Sequence, residues 1–251
     1  MDNTKLFSGK AEDYNKARPG YSNEFIEYLY NEIGFNKNSV IADIGSGTGK
    51  FSRYILDRDS KVFCVEPNED MRKMAEKELS NYSNFISVKG EADNTTLENN
   101  SVDFITVAQA FHWFDVEKFR EECRRILKSE GKVILIWNSR NINHIVNKAS
   151  NEINKKYCPR FKGFSSGVVK DDKRIKAFFF DRYNRIEFTN NLYYNKENFI
   201  KRSLSSSYSL NADDEKYNEY IEEIEKLFDK YSCNGIIEIG NNTVGYIGEI
   251  C

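Results

Sequence analysis

The stretch Val40-Ile41-Ala42-Asp43-Ile44-Gly45-Ser46-Gly47-Thr48-Gly49 decides how the rest of this 251-residue chain is read. A short apolar run, interrupted only by Asp43, enters a turn with glycine at every second position. Such a run is the profile of a strand buried on both faces. Glycine lets the turn take positive φ and lets backbone come close to a ligand. Outward from this point the pattern repeats. A helical pattern starts at Phe51, Lys61 to Val65 reads as a second strand, and Asn68 can cap a helix carrying Met71, Met74, Ala75 and Leu79. Phe85 to Val88 is a third strand, Val102 to Ala110 a fourth and Val116 to Leu127 a helix. Val133 to Trp137 is a fifth strand after a turn at Gly131. Buried strands alternating with helices predict an α/β, doubly wound, mainly parallel sheet with right-handed crossovers.

Beyond Arg140 the alternation stops. Ile142 to Tyr157 reads as a polar helix, Pro159 to Asp172 as a loop, and Arg185 to Tyr193 as a partly exposed strand. Tyr217, Ile221, Ile224, Phe228 and Tyr231 form a stripe at helical spacing, which predicts core packing. Ile236 to Ile239 and Thr243 to Ile250 read as closing strands, the last antiparallel in the sheet. The expected organisation is an N-terminal arm over 1–35, a ligand-binding core over 36–140, and a mostly helical substrate cap with the final strands over 141–251.

Composition narrows the function. There are 37 Lys+Arg against 39 Asp+Glu, a net charge of −2, and a mean hydropathy of −0.67. Near-neutrality argues against a protein whose main task is gripping nucleic-acid backbone. Nothing approaches eighteen uninterrupted apolar residues, and Met1 to Lys5 holds no apolar signal core, so a soluble cytoplasmic protein without a membrane span is expected. Cys64, Cys123, Cys158, Cys233 and Cys251 are widely spaced with no C-x-x-C, and only His112 and His144 are present. Neither a disulfide scaffold nor a metal site is expected. Cys64, inside Val62-Phe63-Cys64-Val65, reads as a small buried hydrophobe. Oligomeric state is not legible.

In doubly wound folds the ligand sits beyond the carboxyl ends of the strands, where strand order reverses. Glu66 ends the second strand, 21 residues beyond Gly45, and a carboxylate there can accept both hydroxyl protons of a ribose. Loop and acid together point to an adenosine-like ligand. Three classes compete. The dinucleotide fingerprint G-x-G-x-x-G places its third glycine where Lys50 stands. A phosphate-binding loop G-x-x-x-x-G-K-[ST] would need glycine at Ile44 and a hydroxyl at Phe51. The pattern D-x-G-x-G-x-G, the loop of class I S-adenosylmethionine-dependent methyltransferases, matches without a gap.

Residues from about Phe7 to Arg140 resemble small-molecule methyltransferases of the type-11 group, within the trans-aconitate-methyltransferase-like branch. The resemblance is carried by Phe7-Ser8-Gly9 with Tyr14 and Arg18-Pro19-Gly20-Tyr21, by the glycine loop, by Val65-Glu66-Pro67-Asn68 with Met71, and by Ala108-Gln109-Ala110-Phe111-His112-Trp113-Phe114. Ser205-Ser206-Ser207-Tyr208 is its clearest later trace. It implies a Rossmann-like methyltransferase sheet with S-adenosyl-L-methionine as cofactor. Gly45, Ser46 and Gly47 would lie against the methionine part of the cofactor, with Asp43 orienting their loop. Glu66 would take the ribose hydroxyls, Pro67 and Met71 would flank the adenine, and Ala92 and Asp93 would meet its edge. Ala108 and Gln109 would sit near the departing methyl. Asp93 stands where the branch often has Glu.

Methyl transfer is an in-line displacement at a sulfonium carbon, so alignment and exclusion of water matter more than a strong acid or a metal. An acceptor already ionised at pH 7 needs no base. His112 is the candidate base or orienting group, and Trp113 the candidate ring facing the sulfonium or the acceptor. Tyr14 and Arg18 are expected to fold over the cofactor, Arg18 pairing a carboxylate. The serines at 205–207 are candidate polar contacts for substrate. Nucleic-acid substrates are disfavoured: Ala108-Gln109-Ala110-Phe111 replaces the [DNS]-P-P-[YF] of amino-group base methyltransferases, and Arg124-Arg125 is expected on a solvated helix face. The expected reaction is direct methyl transfer to a small carboxylate or hydroxyl acceptor. A silent cofactor-binding protein and a nicotinamide-dependent oxidoreductase are the alternatives.

Overall fold

Strands β1 (Val40–Ile44), β2 (Lys61–Val65), β3 (Phe85–Val88), β4 (Val102–Ala108), β5 (Leu127–Arg140), β6 (Tyr183–Thr189) and β9 (Asn241–Gly248) build a seven-stranded sheet in the order β3-β2-β1-β4-β5-β9-β6. The sheet is mostly parallel with one antiparallel strand, as expected. The computed structural model describes residues 19–164 and 172–250. Its described residues fall into two compact units, one of 19–137, 172–188 and 243–250, the other of 138–164 and 189–242. No helix among them is long and apolar enough to cross a membrane.

In the first unit, successive strand residues serve opposite faces, which is why the strands read as unbroken apolar runs. Ile41, Val62, Phe104, Ile134 and Ile136 pack with α1 (Asn23–Tyr28) and α2 (Lys50–Leu56) through Phe25, Ile26, Phe51 and Ile55. Ala42, Ile44, Ile105, Val107, Val133 and Leu135 face the opposite way. There they meet Phe119 and Cys123 of α4 (Val116–Ile126) and Phe178 and Phe179 of α6 (Lys173–Phe179). Helix α3 (Glu69–Glu78) is started by Asn68, whose Oδ1 accepts from the Met71 N–H at 3.0 Å. Asp115 caps α4 in the same way, accepting from the N–H groups of Glu117 and Lys118.

The second unit packs α5 (Ile145–Tyr157), α7 (Lys196–Leu204) and α8 (Tyr217–Tyr231) with an antiparallel ribbon of β7 (Leu192–Tyr194) and β8 (Ile237–Ile239). The stripe on α8 is core, but it is centred on Tyr220, Ile224, Leu227 and Phe228 instead of running from Tyr217 to Tyr231.

Several expected boundaries move for local reasons. Strand β4 stops at Ala108, because Gln109 adopts φ +60°, outside any strand conformation. Strand β5 is far longer than Val133–Trp137. Its first residue, Leu127, already faces Val102, and Phe104 faces Lys132, so residues 128–131 form a bulge where a turn was expected at Gly131. The strand expected over Arg185 to Tyr193 is broken at Asn190 into β6 and β7, and α6 and α7 were not anticipated.

Candidate functional site

β1 and β4 are sequence-distant neighbours whose partners diverge to either side, so the sheet reverses its strand order between them. Beyond the carboxyl ends of β1, β2 and β4 lies a cavity of about 350 Å³ in the first unit. That volume falls in the range of small-molecule sites, roughly 300–1,000 Å³.

The loop above β1 rests on a buried polar cluster. Asp43 faces Cys64 on β2 and Thr106 on β4 in register and is wholly buried. Its carboxylate accepts from Ser52 Oγ at 2.5 Å and Thr106 Oγ1 at 2.9 Å. Burial pushes its pKa up to about 6 against those two donors. Cys64 donates to Ser52 Oγ at 3.0 Å, and burial drives its thiol upward, so it is an inert packing residue, as its surroundings suggested. Asp43 does not line the cavity; it holds the loop from beneath.

The loop itself is stitched to the next strand by backbone. The N–H groups of Gly45 and Ser46 both donate to the Val65 carbonyl, at 2.8 and 3.2 Å. Gly45 has φ +68°, and a Cβ there would stand 2.7 Å from Ala110 Cβ and 3.2 Å from Phe114 Cζ. Gly47 has φ +57° and no atom within 4 Å of where its Cβ would stand, so it leaves open space that a side chain would fill.

Glu66 is the polar centre of the wall. Its Oε2 accepts from the Gly47 N–H at 2.9 Å and its Oε1 from the Asn68 N–H at 2.9 Å. Burial raises its pKa against these two donors and the charge of Arg72. Each oxygen retains acceptor capacity for a further donor. Pro67, Met71, Ala92 and Asp93 line the cavity with it, and Ala108, Gln109 and Trp113 close the opposite side. Trp113 is 45% exposed.

Of the residues singled out from sequence, the cavity brings together Gly45, Gly47, Glu66, Pro67, Met71, Ala92, Asp93, Ala108, Gln109 and Trp113. Ser46 is in the loop but not among the lining residues. His112 does not line the cavity either; its ring lies 4.7 Å from that of Trp113, and its carbonyl accepts from Arg174. Tyr14 and Arg18 lie outside the described residues. The lining also contains Asn68, Glu91, Ala110, Phe114 and Asp115, which sequence reading had not assigned to the site. Asn68 and Asp115 were visible as helix starts, and a residue that caps a helix at a strand's carboxyl end faces the same crevice.

One expectation for the helix face is corrected. Arg125 is not merely solvated: it pairs with Glu122 and donates to the Leu97 carbonyl at 2.7 Å. Glu122 in turn accepts from Thr95 N–H at 2.7 Å, fixing the segment that follows Ala92 and Asp93.

Residues 42–135 match the model of the methyltransferase domain family Methyltransf_11. An uncharacterised methyltransferase of Schizosaccharomyces pombe is 34% identical over 137 residues, covering 54% of this chain and 53% of that protein. The chain thus spans about half the length of that relative. A methyltransferase-like protein of the same yeast is 27% identical over 259 residues, covering 98% of this chain and 95% of its own. Among solved structures, geranyl diphosphate C-methyltransferase of Streptomyces coelicolor, bound to Mg2+, geranyl diphosphate and S-adenosyl-L-homocysteine, superposes at 14% identity with a TM-score of 0.51 over 91% of this chain and 79% of that chain.

Sheet order and switch-point cavity define a Rossmann-like fold, and the stretch that builds the cavity is the one that matches the methyltransferase domain family. The match over residues 42–135 points to S-adenosyl-L-methionine as the group to test against this cavity. The residues fit that group: a carboxylate with acceptor capacity to spare, a glycine that leaves the wall open, and apolar flanks at Met71 and Ala92.

Proposed function

We propose that this protein transfers a methyl group from S-adenosyl-L-methionine to a small-molecule acceptor, a carboxylate or hydroxyl compound, by direct in-line displacement. The observation that carries the reading is the Glu66 carboxylate held by the Gly47 and Asn68 N–H groups at the wall of the switch-point cavity. Bound there, the cofactor supplies an electrophilic methyl on a positively charged sulfur. Glu66 takes the ribose hydroxyls, Met71 and Pro67 flank the base, Ala92 and Asp93 meet its edge, and Gly45, Ser46 and Gly47 receive the methionine part. Ala108 and Gln109 border the methyl. Trp113 presents its ring to the sulfonium or acceptor and excludes water. His112, packed beside Trp113, orients or deprotonates a hydroxyl acceptor, whereas a carboxylate needs no base.

The finer reading places the protein in the trans-aconitate-methyltransferase-like branch, working in the cytoplasm on metabolites and not on nucleic acid. Tyr14 and Arg18 serve the cofactor site, and residues after 140 choose the acceptor. The test is transfer of labelled methyl from the cofactor into a cell extract separated into small molecules, protein and nucleic acid. Label in the small-molecule fraction, lost with Glu66→Ala, is expected. Label confined to protein or nucleic acid would contradict the acceptor class, and no label in any fraction would favour a silent binding protein.

A further inference from the structure

Within the second unit, Arg140 at the end of β5 and Arg202 on α7 line one small cavity of about 20 Å³, together with Ser150, Ser203, Ser206 and Tyr208. No Asp or Glu is among its lining residues, and among the described residues neither arginine forms an ion pair with a carboxylate. This is unusual for arginines that are not exposed, because buried charge is normally paired. What each one touches is neutral. The Arg140 guanidinium lies 4.0 Å from the centre of the Phe164 ring. Arg202 donates to Tyr194 Oη at 3.3 Å and stands 5.3 Å from that ring's centre. Burial and the nearby charge of Arg202 both hold Arg140 below its usual range, while the Tyr208 hydroxyl offsets this in part.

Two cations facing one space, each fixed by a ring and surrounded by hydroxyls, are an arrangement whose missing component is an anion. We propose that Arg140 and Arg202 form an anion-binding site that takes the terminal carboxylate or phosphate group of a small molecule, with Ser206 and Tyr208 as its neutral donors. The cavity is about the size of one water molecule, so a single oxygen of the head group enters it and the remainder of the ligand lies outside. Guanidinium forks match both chemistries in bidentate fashion, so geometry names the shared oxyanion and experiment separates the two sources. The site also gives Ser206, conspicuous in Ser205-Ser206-Ser207, a place beside the charge. The inference does not rest on the methyl-transfer reading.

The test uses the full chain without cofactor. Sodium phosphate and sodium succinate are titrated separately at constant ionic strength, balanced with sodium chloride, and followed by calorimetry and melting temperature. Saturable one-site binding of at least one probe is expected. Arg140→Met and Arg202→Met are each expected to weaken it by about tenfold or more, since hydrogen bonds to charged groups are lost. Arg202→Lys, which keeps the charge but not the fork, is expected between wild type and Met. Without anion, both Met variants are expected to melt no lower than wild type, because a like-charge contact is removed. Preference for succinate identifies a carboxylate ligand, and preference for phosphate a phosphorylated one. The proposal is overturned if neither probe binds beyond chloride, or if both Met variants bind as wild type does. Should Arg140→Met not fold, the two Arg202 variants carry the test. Loss of S-adenosylhomocysteine binding would overturn the methyltransferase reading and leave this one standing.

Discussion

The backbone N–H of Gly47 donates to Glu66 Oε2 at 2.9 Å, tying the turn after β1 to the acid that closes β2. One carboxylate therefore shapes the loop and faces the ligand space. Because Oε1 is held by the Asn68 N–H, an amide at this position must turn its nitrogen toward a backbone donor whichever way it lies. Glu66→Gln is expected to cost about 1–3 kcal/mol of stability, read as a urea midpoint. It should also weaken S-adenosylhomocysteine binding by about 10- to 100-fold, read by calorimetry. Unchanged affinity would remove Glu66 from the site.

The two glycines that shape the loop separate packing from ligand space. Gly45→Ala drives a Cβ into Ala110 and Phe114 at positive φ, and about 1–3 kcal/mol of stability should be lost. Gly47→Ala meets no protein atom, so it should cost only the conformational strain of about 1–2 kcal/mol. Its larger effect should be on cofactor affinity, because the methyl enters the open side of the wall. Comparing melting temperatures with and without S-adenosylhomocysteine distinguishes the two behaviours.

Asp43 sets a pH dependence of defined sign. Its folded pKa of about 6 lies above the ordinary 3.8, so its contribution is greatest below about pH 4 and is lost as pH rises through 6. Relative to Asp43→Asn, wild-type stability should therefore fall between pH 4 and 6 by up to ~3 kcal/mol, then stay level. Denaturant titrations of both proteins across this window check it. A difference that grows with pH would show that the ionised form is the favoured one.

How much of this was legible is clearest at the strands. The first three were read to their ends, since buried parallel strands show as unbroken apolar runs and glycine, Glu66 and Asn68 punctuate them. Gln109 ended β4 early and residues 128–131 bulged from β5 because both depend on backbone geometry that carries no residue signature. Helices α6 and α7 are short, and neither spans enough turns to display a period. The wall of the cavity was legible where side-chain type dictates it, at Glu66 and the glycines. It was not legible along Phe111–Trp113, a single tight turn in which Trp113 lines the cavity and His112 does not. Glu91 and Phe114 entered the wall through loop shape alone.

Trp113 tests the mouth of the site. It is too exposed to hold the core together, so Trp113→Ala should leave stability within about 0.5 kcal/mol. If its ring faces the sulfonium, kcat/KM should fall by roughly 2- to 30-fold, the equivalent of a cation–π contact of about 0.5–2 kcal/mol. A parallel His112→Ala series over pH separates a base, whose loss flattens the profile, from a wall residue, whose loss scales it.

The most direct measurement is a melting-temperature titration of the wild-type chain with S-adenosylhomocysteine and, separately, with NADH. Saturable stabilisation by the first, following ligand concentration as RT ln(1 + [L]/Kd), with none from the second, is the predicted result. Stabilisation by NADH, or none by S-adenosylhomocysteine at any concentration, would contradict the assignment of the switch-point cavity to a sulfonium nucleoside.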